Sequence, residues 1–473
     1  MADRARLSKT LKPHWVWAIA LGSAVGWGSF ILPTDWMGTA GPLGAVAGLL
    51  IGGVLMIVIA VSYGFMIQKI PVSGGEFAYS YVGFGRNHAY LCGWFLTLGY
   101  LSIVALNASA LALLCRYMLP AIAEWGRMYE IAGWDVYLGE VLIASLALVV
   151  FAVLNIRGAA LSGRLQFAFV IIMIAGAGLV ALGVFLHPDS SFGNFVPAFS
   201  PDTSAWAAVL AIVAIAPWAY VGFDNVPQAA EEFDFPPRKA YRLIVLALVA
   251  AAVFYSMMVL ATAVATPWQG LVASEPQWGT GDAVAGLFGW VGTLLLSVAV
   301  CMGVFTGLNG FFMASSRLMF AMGRARIVPA AFARVHPRFN TPYVGILFAG
   351  AICLVTPWFG REALLWVVDM SAVGVAIAYS YTCFVAFRLF REAPGKRVLA
   401  ALGGLFGLGF IGLLLVPASP AALGPESWTA LIAWTVLGAL FYLARVREYR
   451  KIPKSEMDYL ILDTPKPAPS PQP

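Results

Sequence analysis

The sequence predicts an all-α integral membrane protein of twelve transmembrane helices, arranged as a 5+5 inverted repeat with two further helices at the C-terminal end. Three observations predict it. The 473 residues are 61% hydrophobic and 11% charged, outside the range of ordinary soluble domains. Apolar stretches of the roughly 20 residues needed to cross a bilayer recur along the whole chain. Two of these stretches, the first and the sixth, are broken at their middle by Gly and Pro.

Taken in order, residues 1–14 are basic (Arg4, Arg6, Lys9, Lys12) and read as a cytoplasmic N-terminus. The first apolar run, 15–37, lacks a small-residue cleavage site and is expected to be retained as a span. Runs at 43–68, 88–118, 136–156 and 163–186 complete a first set of five. Those at 204–229, 242–266, 284–323, 343–359 and 362–388 form a second set, and together they make a core of 15–390. Residues 391–447 add the runs 397–417 and 427–445. The stretch 448–473, rich in Pro towards its end, reads as a disordered cytoplasmic tail.

Charge placement tests this count. With the N-terminus inside and the spans alternating, all of the 29 Lys and Arg residues fall on the inner side except Arg116, Arg127 and Arg361. A missed or extra span would scramble that bias, which the positive-inside rule demands. Both termini are therefore expected in the cytoplasm. The net charge of +6 speaks of loop orientation and anionic lipid, not of nucleic acid. The five cysteines are scattered without C-x-x-C spacing and read as small buried hydrophobes. The four histidines fall near span ends or in loops, so neither a metal site nor a nucleophile–base pair is expected.

The breaks are Gly22-Ser23-Ala24-Val25-Gly26-Trp27-Gly28 and Ala216-Pro217-Trp218-Ala219-Tyr220-Val221-Gly222. In hydrocarbon, broken helices survive only where they line a cavity or are buried in protein. Paired breaks in two halves of a chain point to the midplane site of a secondary transporter. Amides from Ser23 to Gly28 suit a substrate carboxylate; the alternative is close helix packing through small residues. Pro217 forces the sixth run open, which places Ala216 and Trp218 at the break. Trp27 would narrow the pocket, stack on substrate, or turn to a neighbouring span. Asp224 is an acid inside an apolar run, costly there and a candidate for proton exchange or for receiving an amine. A structural cluster fastening the sixth run is its alternative.

Four motifs in order resemble the amino acid–polyamine–organocation superfamily of permeases. They are Gly26-Trp27-Gly28-Ser29-Phe30-Ile31-Leu32-Pro33, Pro71-Val72-Ser73-Gly74-Gly75-Glu76-Phe77-Ala78-Tyr79, Trp218 to Asp224 with Ala230-Glu231-Glu232, and Ser315-Ser316-Arg317 with the loop at 335–342. The resemblance implies a fold of the LeuT type with spans one and six unwound around a central site. It implies that Trp218 is an aromatic lid, that Tyr100 and Tyr381 join Asp224 in a second gate, and that Phe311 is a pocket aromatic. The position that holds a lysine in some proton-coupled relatives is Met173 here. Ser315 and Ser316 match span-eight hydroxyls of an ion site, or else serve helix contacts. Proton coupling or exchange is favoured over sodium. Glu231, Glu232, Arg238 and Lys239 read as a solvated face, with an inner latch as the alternative, and Glu76 shares that ambiguity.

The chain is thus expected to be a plasma-membrane permease, monomer or homodimer, that moves a small amino acid by alternating access. Neither a cofactor nor a catalytic residue is expected. Alternatives are an amine or polyamine exchanger of the same fold and a sensor that binds without transporting.

Overall fold

The computed structural model describes residues 4–466 except 132–133, 418 and 420–421, and the backbone alone of 361–369. Helix α1 (Pro13–Val25) starts on a proline, whose missing N–H costs nothing in a first turn, and stops at Gly26. Helix α2 (Gly28–Ile31) resumes at once and leads through Leu32 into α3 (Pro33–Lys69), which turns sharply at Gly41-Pro42. The expected runs 15–37 and 43–68 are thus three helical pieces parted at 26–27 and again at 41. A short connection leads to α4 (Gly75–Phe84) and then to the long α5 (Arg86–Met118).

After the brief α6 (Pro120–Ala123), an antiparallel hairpin of β1 (Arg127–Ile131) and β2 (Trp134–Tyr137) interrupts an otherwise helical chain. The expectation of an all-α protein missed it. The Arg116 guanidinium holds the hairpin, lying 4.5 Å from the Trp134 ring centre and 4.9 Å from that of Tyr137. Then follow α7 (Leu138–Ile156) and α8 (Ala159–Leu186).

The sixth apolar run is three short helices, α9 (Ala205–Ala214), α10 (Ala216–Ala219) and α11 (Asn225–Gln228). Beyond it come α12 (Ala240–Ala265), α13 (Trp268–Ala273) and α14 (Gly279–Arg324), which leaves helical geometry at Gly289. The last elements are α15 (Tyr343–Cys353), α16 (Gly360–Leu389), α17 (Pro394–Leu415), α18 (Pro425–Lys451) and α19 (Lys454–Leu462).

Among the described residues nine helices are long and apolar enough to cross a membrane, with shorter apolar helices at Ala205–Ala214 and Tyr343–Phe359. The perimeter carries bare apolar side chains, among them Leu146, Leu179, Leu186, Trp290, Leu405 and Leu440. Apolar surface on that scale needs lipid, not water, against it. The most buried of the long helices is α5, at the centre, whereas α17 and α18 lie at the edge.

The expected disordered tail is corrected over most of its described length. Helix α18 runs on to Lys451, and after Pro453 α19 buries Met457, Tyr459, Leu460 and Ile461 on the face that carries both termini. Met457, Leu460 and Ile461 give one apolar stripe at helical spacing, which the proline content further on had masked. Residues 467–473 lie outside the described residues.

Candidate functional site

The two breaks meet. Gly26 (φ +53°) and Gly222 (φ +128°) have backbones that L side chains rarely adopt, so glycine is required at both. A Cβ on Gly222 would lie 2.5 Å from the Ser23 carbonyl carbon, so the two unwound segments touch backbone to backbone there. The hydroxyl of Tyr255, from α12, stands 2.7 Å from the Ala24 carbonyl oxygen and 2.6 Å from that of Ala219. Its single proton serves carbonyls on both segments and ties one break to the other. Sequence reasoning missed Tyr255, since a tyrosine in an apolar run carries no signal of what its hydroxyl meets.

Around this crossing lies a cavity of about 30 Å³. Ser23, Ala24, Val25, Gly26, Trp27, Gly28 and Trp218 line it, as expected, together with Ile103, Leu106, Asn107, Ala219, Val221 and Tyr255. No lining side chain is charged. The Ser23 hydroxyl and Asn107 Oδ1 are buried without a hydrogen-bond partner. Helix α2 begins at Gly28; its Phe30 and Ile31 amides donate to the Trp27 carbonyl, which leaves those of Gly28 and Ser29 at its opening. Trp27 and Trp218 pack edge to face, ring centres 6.4 Å apart. Beyond them, towards the face opposite the termini, a second cavity of about 110 Å³ is lined mostly by apolar side chains and shares Trp27 and Leu106 with the first.

Two expected pocket residues lie elsewhere. Ala216 faces Gly52 of α3. Phe311 is fully buried against the ring of Tyr100, 5.7 Å centre to centre, and lines neither cavity.

Asp224 is fully buried just past the break, where Oδ1 accepts from the Gly222 amide at 2.7 Å and Oδ2 from the Tyr100 hydroxyl at 3.0 Å. Tyr381 does not join them. Its hydroxyl pairs with His88 Nδ1 at 2.8 Å, and its ring lies against Phe84, near the start of α5. The buried tyrosine of α16 on this side is Tyr379, stacked on Phe223, the residue preceding Asp224. A helix turns about 100° per residue, so a displacement of two positions moves a side chain to the opposite face.

Ser315 and Ser316 do not face the α1 break either. Each hydroxyl donates to a carbonyl of its own helix, Phe312 and Met313 respectively. The α14 hydroxyl that does face the break is Thr306, 2.9 Å from the Gly22 carbonyl oxygen and 2.7 Å from that of Gly303. Met173 is buried. Among the described residues no three His, Cys, Asp or Glu cluster as metal ligands.

The face that carries both termini is sealed. Residues Thr10 and Leu11 donate their amides to the Glu232 carbonyl, and Asp234 returns one to Leu11. Arg4 Nη2 and Arg324 Nη1 each stand 3.0 Å from Glu231, and Arg317 binds Glu232 at 2.7 Å. The solvated face favoured for Glu231 and Glu232 is therefore corrected, because both carboxylates are paired and largely buried. Burial pushes the Glu231 carboxyl up, but Arg324 and Arg4 outweigh it and hold it below its ordinary value. Helix α19 joins the seal through Arg4 with Asp463, Tyr81 with Asp458, and Arg326 with Glu456.

Comparison with known proteins bears on this arrangement. The family model described as amino acid permease matches residues 15–441. The chain is 24% identical to a methylthioribose transporter of Bacillus subtilis, over 95% of each chain. It is 24% identical to the branched-chain amino acid permease BcaP of Lactococcus lactis, over 84% of this chain and 87% of the relative. With the serine/threonine exchanger SteT of Bacillus subtilis it shares 25% identity over 85% of this chain and 91% of the relative.

Proposed function

The chain belongs to the amino acid permease family, a family of membrane transporters and not of enzymes, and we propose that it moves a small neutral amino acid by alternating access. The observation that carries this is the uncharged cavity at the crossing of the two helix breaks, closed by Trp27 and Trp218. The substrate carboxylate is received by the amides that open α2, and its ammonium by Asn107 Oδ1 and the Ser23 hydroxyl. Ile103, Leu106, Val25 and Val221 supply the apolar lining that a compact apolar side chain would meet.

In this reading twelve spans form two inverted sets of five plus α17 and α18, and both termini are cytoplasmic in the plasma membrane. The sealed face is then the inner gate, and the path through Trp27 leads outward. A cationic amine or polyamine fits less well, because both Asp224 oxygens are already engaged within the protein. Coupling to protons, or obligate exchange, fits better than sodium, since Ser316 Oγ already accepts from the Arg317 guanidinium at 3.1 Å. The full-length likeness to a methylthioribose transporter favours one second reading, a neutral sulfur-containing sugar in the same cavity.

Counterflow in proteoliposomes tests both. Vesicles are loaded with single neutral or cationic amino acids, amines or methylthioribose, at imposed pH and Na⁺ gradients. Exchange confined to neutral amino acids is expected. Exchange of methylthioribose alone selects the second reading, and folded protein that exchanges none of these compounds sinks both.

A further inference from the structure

Glu76 is a buried acid with no place in the scheme above. It lies in α4, fully buried, in the motif after the second apolar run. Its Oε2 accepts from Gln228 Nε2 at 2.5 Å, and Gln228 Nε2 also lies 3.3 Å from the Tyr100 hydroxyl. Tyr100 in turn donates to Asp224. An unbroken chain of hydrogen bonds, Asp224–Tyr100–Gln228–Glu76, therefore joins two buried carboxyl groups.

The groups around Glu76 come from every packed element. Gln228 of the broken sixth run bonds it, and Tyr63 of α3, Tyr79 of α4 itself, Cys92 and Tyr100 of α5, Asp224, and Tyr379 of α16 lie within electrostatic reach. None is a cation. No ion pair of Glu76 or Asp224 occurs among the described residues; the nearby arginines Arg317 and Arg324 serve Glu232 and Glu231. Two uncompensated carboxylates in one buried network are too costly to coexist.

The donors decide where the proton sits. Asp224 has a donor on each oxygen, which suits the anion. Glu76 has a well-formed hydrogen bond on Oε2 alone, with the Tyr63 hydroxyl and its own backbone amide as weaker neighbours of the carboxyl. Turning the Gln228 amide over would aim an oxygen at Glu76, which would then have to be the donor itself. Burial, with the charge on Asp224 behind it, pushes the Glu76 carboxyl well above its ordinary value.

We propose that Glu76 and Asp224 form one proton-binding unit, linked through Tyr100 and Gln228, in which Glu76 holds the resident proton. Loss of that proton, or protonation of Asp224, changes the charge of the unit. What the proton drives rests on the transporter reading; where it sits does not.

Infrared difference spectroscopy on the purified full chain across neutral pH tests the site itself. Wild type is expected to show a protonated carboxyl C=O band, and Glu76→Gln to lose it. Asp224→Asn, which removes the neighbouring charge, should shift the band's midpoint to lower pH by about one unit, a tenfold change in proton affinity. A band that persists in Glu76→Gln, or a midpoint unmoved in Asp224→Asn, overturns the proposal. The Asp224→Asn arm decides it even where Glu76→Gln fails to fold. In vesicles, Glu76→Gln should lose pH-driven accumulation while keeping exchange at symmetric pH. Accumulation that stays pH-driven in that variant also overturns it. Wild type that transports nothing leaves the infrared result to decide the site alone.

Discussion

Trp27 lies between the two cavities, and Trp218, which lines the smaller one, packs edge to face against it. Trp218→Ala should therefore abolish counterflow by about 100-fold or more, since an unclosed site loses substrate positioning. Thermal unfolding in detergent should show the variant folded; normal counterflow would refute a gate. At Tyr255 one hydroxyl links both breaks, so Tyr255→Phe leaves buried carbonyls bare. A loss of about 1–3 kcal/mol is expected in thermal unfolding, together with slower exchange.

At the scale of elements, the tightest fit is backbone against backbone at Gly222. Gly222→Ala demands both a strained φ and separation of the two unwound segments. Each carries a cost of about 1–3 kcal/mol or more, so poor yield of folded protein is expected; wild-type yield and exchange would refute the close crossing. The Arg317–Glu232 pair fastens α14 to the end of the broken sixth run, with both side chains 1% exposed. Glu232→Gln strands a buried guanidinium and should cost about 3–5 kcal/mol, read as a lowered unfolding midpoint. A midpoint unchanged from wild type would mean the pair opens freely.

Over the whole molecule, the N-terminal segment, Glu231, Arg324 and α19 form one strap across the terminal face. In the alternating-access reading proposed above, that strap must release. Truncation after Ile452, or Arg4→Ala, should raise the rate at which an impermeant thiol reagent labels Cys92, which lies buried beneath α4. Peptide mass mapping reads this directly, and labelling as slow as in wild type counts against a releasable strap. The strap is also pH-dependent. Glu231 titrates below its ordinary value of 4.5, so its stabilisation is present above that pH and is lost as pH falls through the lowered folded value. The unfolding midpoint should therefore fall on acidification below about pH 4.5. In the Glu231→Gln variant that acid response should disappear.

Much of this was legible in the sequence, because some physical constraints are local. Length and apolar content fixed that the chain lies in a membrane, and the Gly and Pro residues at 22–28 and 216–222 fixed where its helices part, since no neighbour restores a helix there. Ser23 to Gly28 and Trp218 line the cavity for that reason. Other features depend on which side of a helix meets which neighbour. Tyr379 in place of Tyr381, and Thr306 in place of Ser315 or Ser316, follow from a rotation about the axis that no apolar run encodes. The burial of Glu231 and Glu232 depends on arginines as distant in sequence as Arg4 and Arg324, and Glu76 meets Asp224 only through Tyr100 and Gln228. Local backbone chemistry is written along the chain, whereas the pairing of buried charges is settled only when distant helices pack and shut water out.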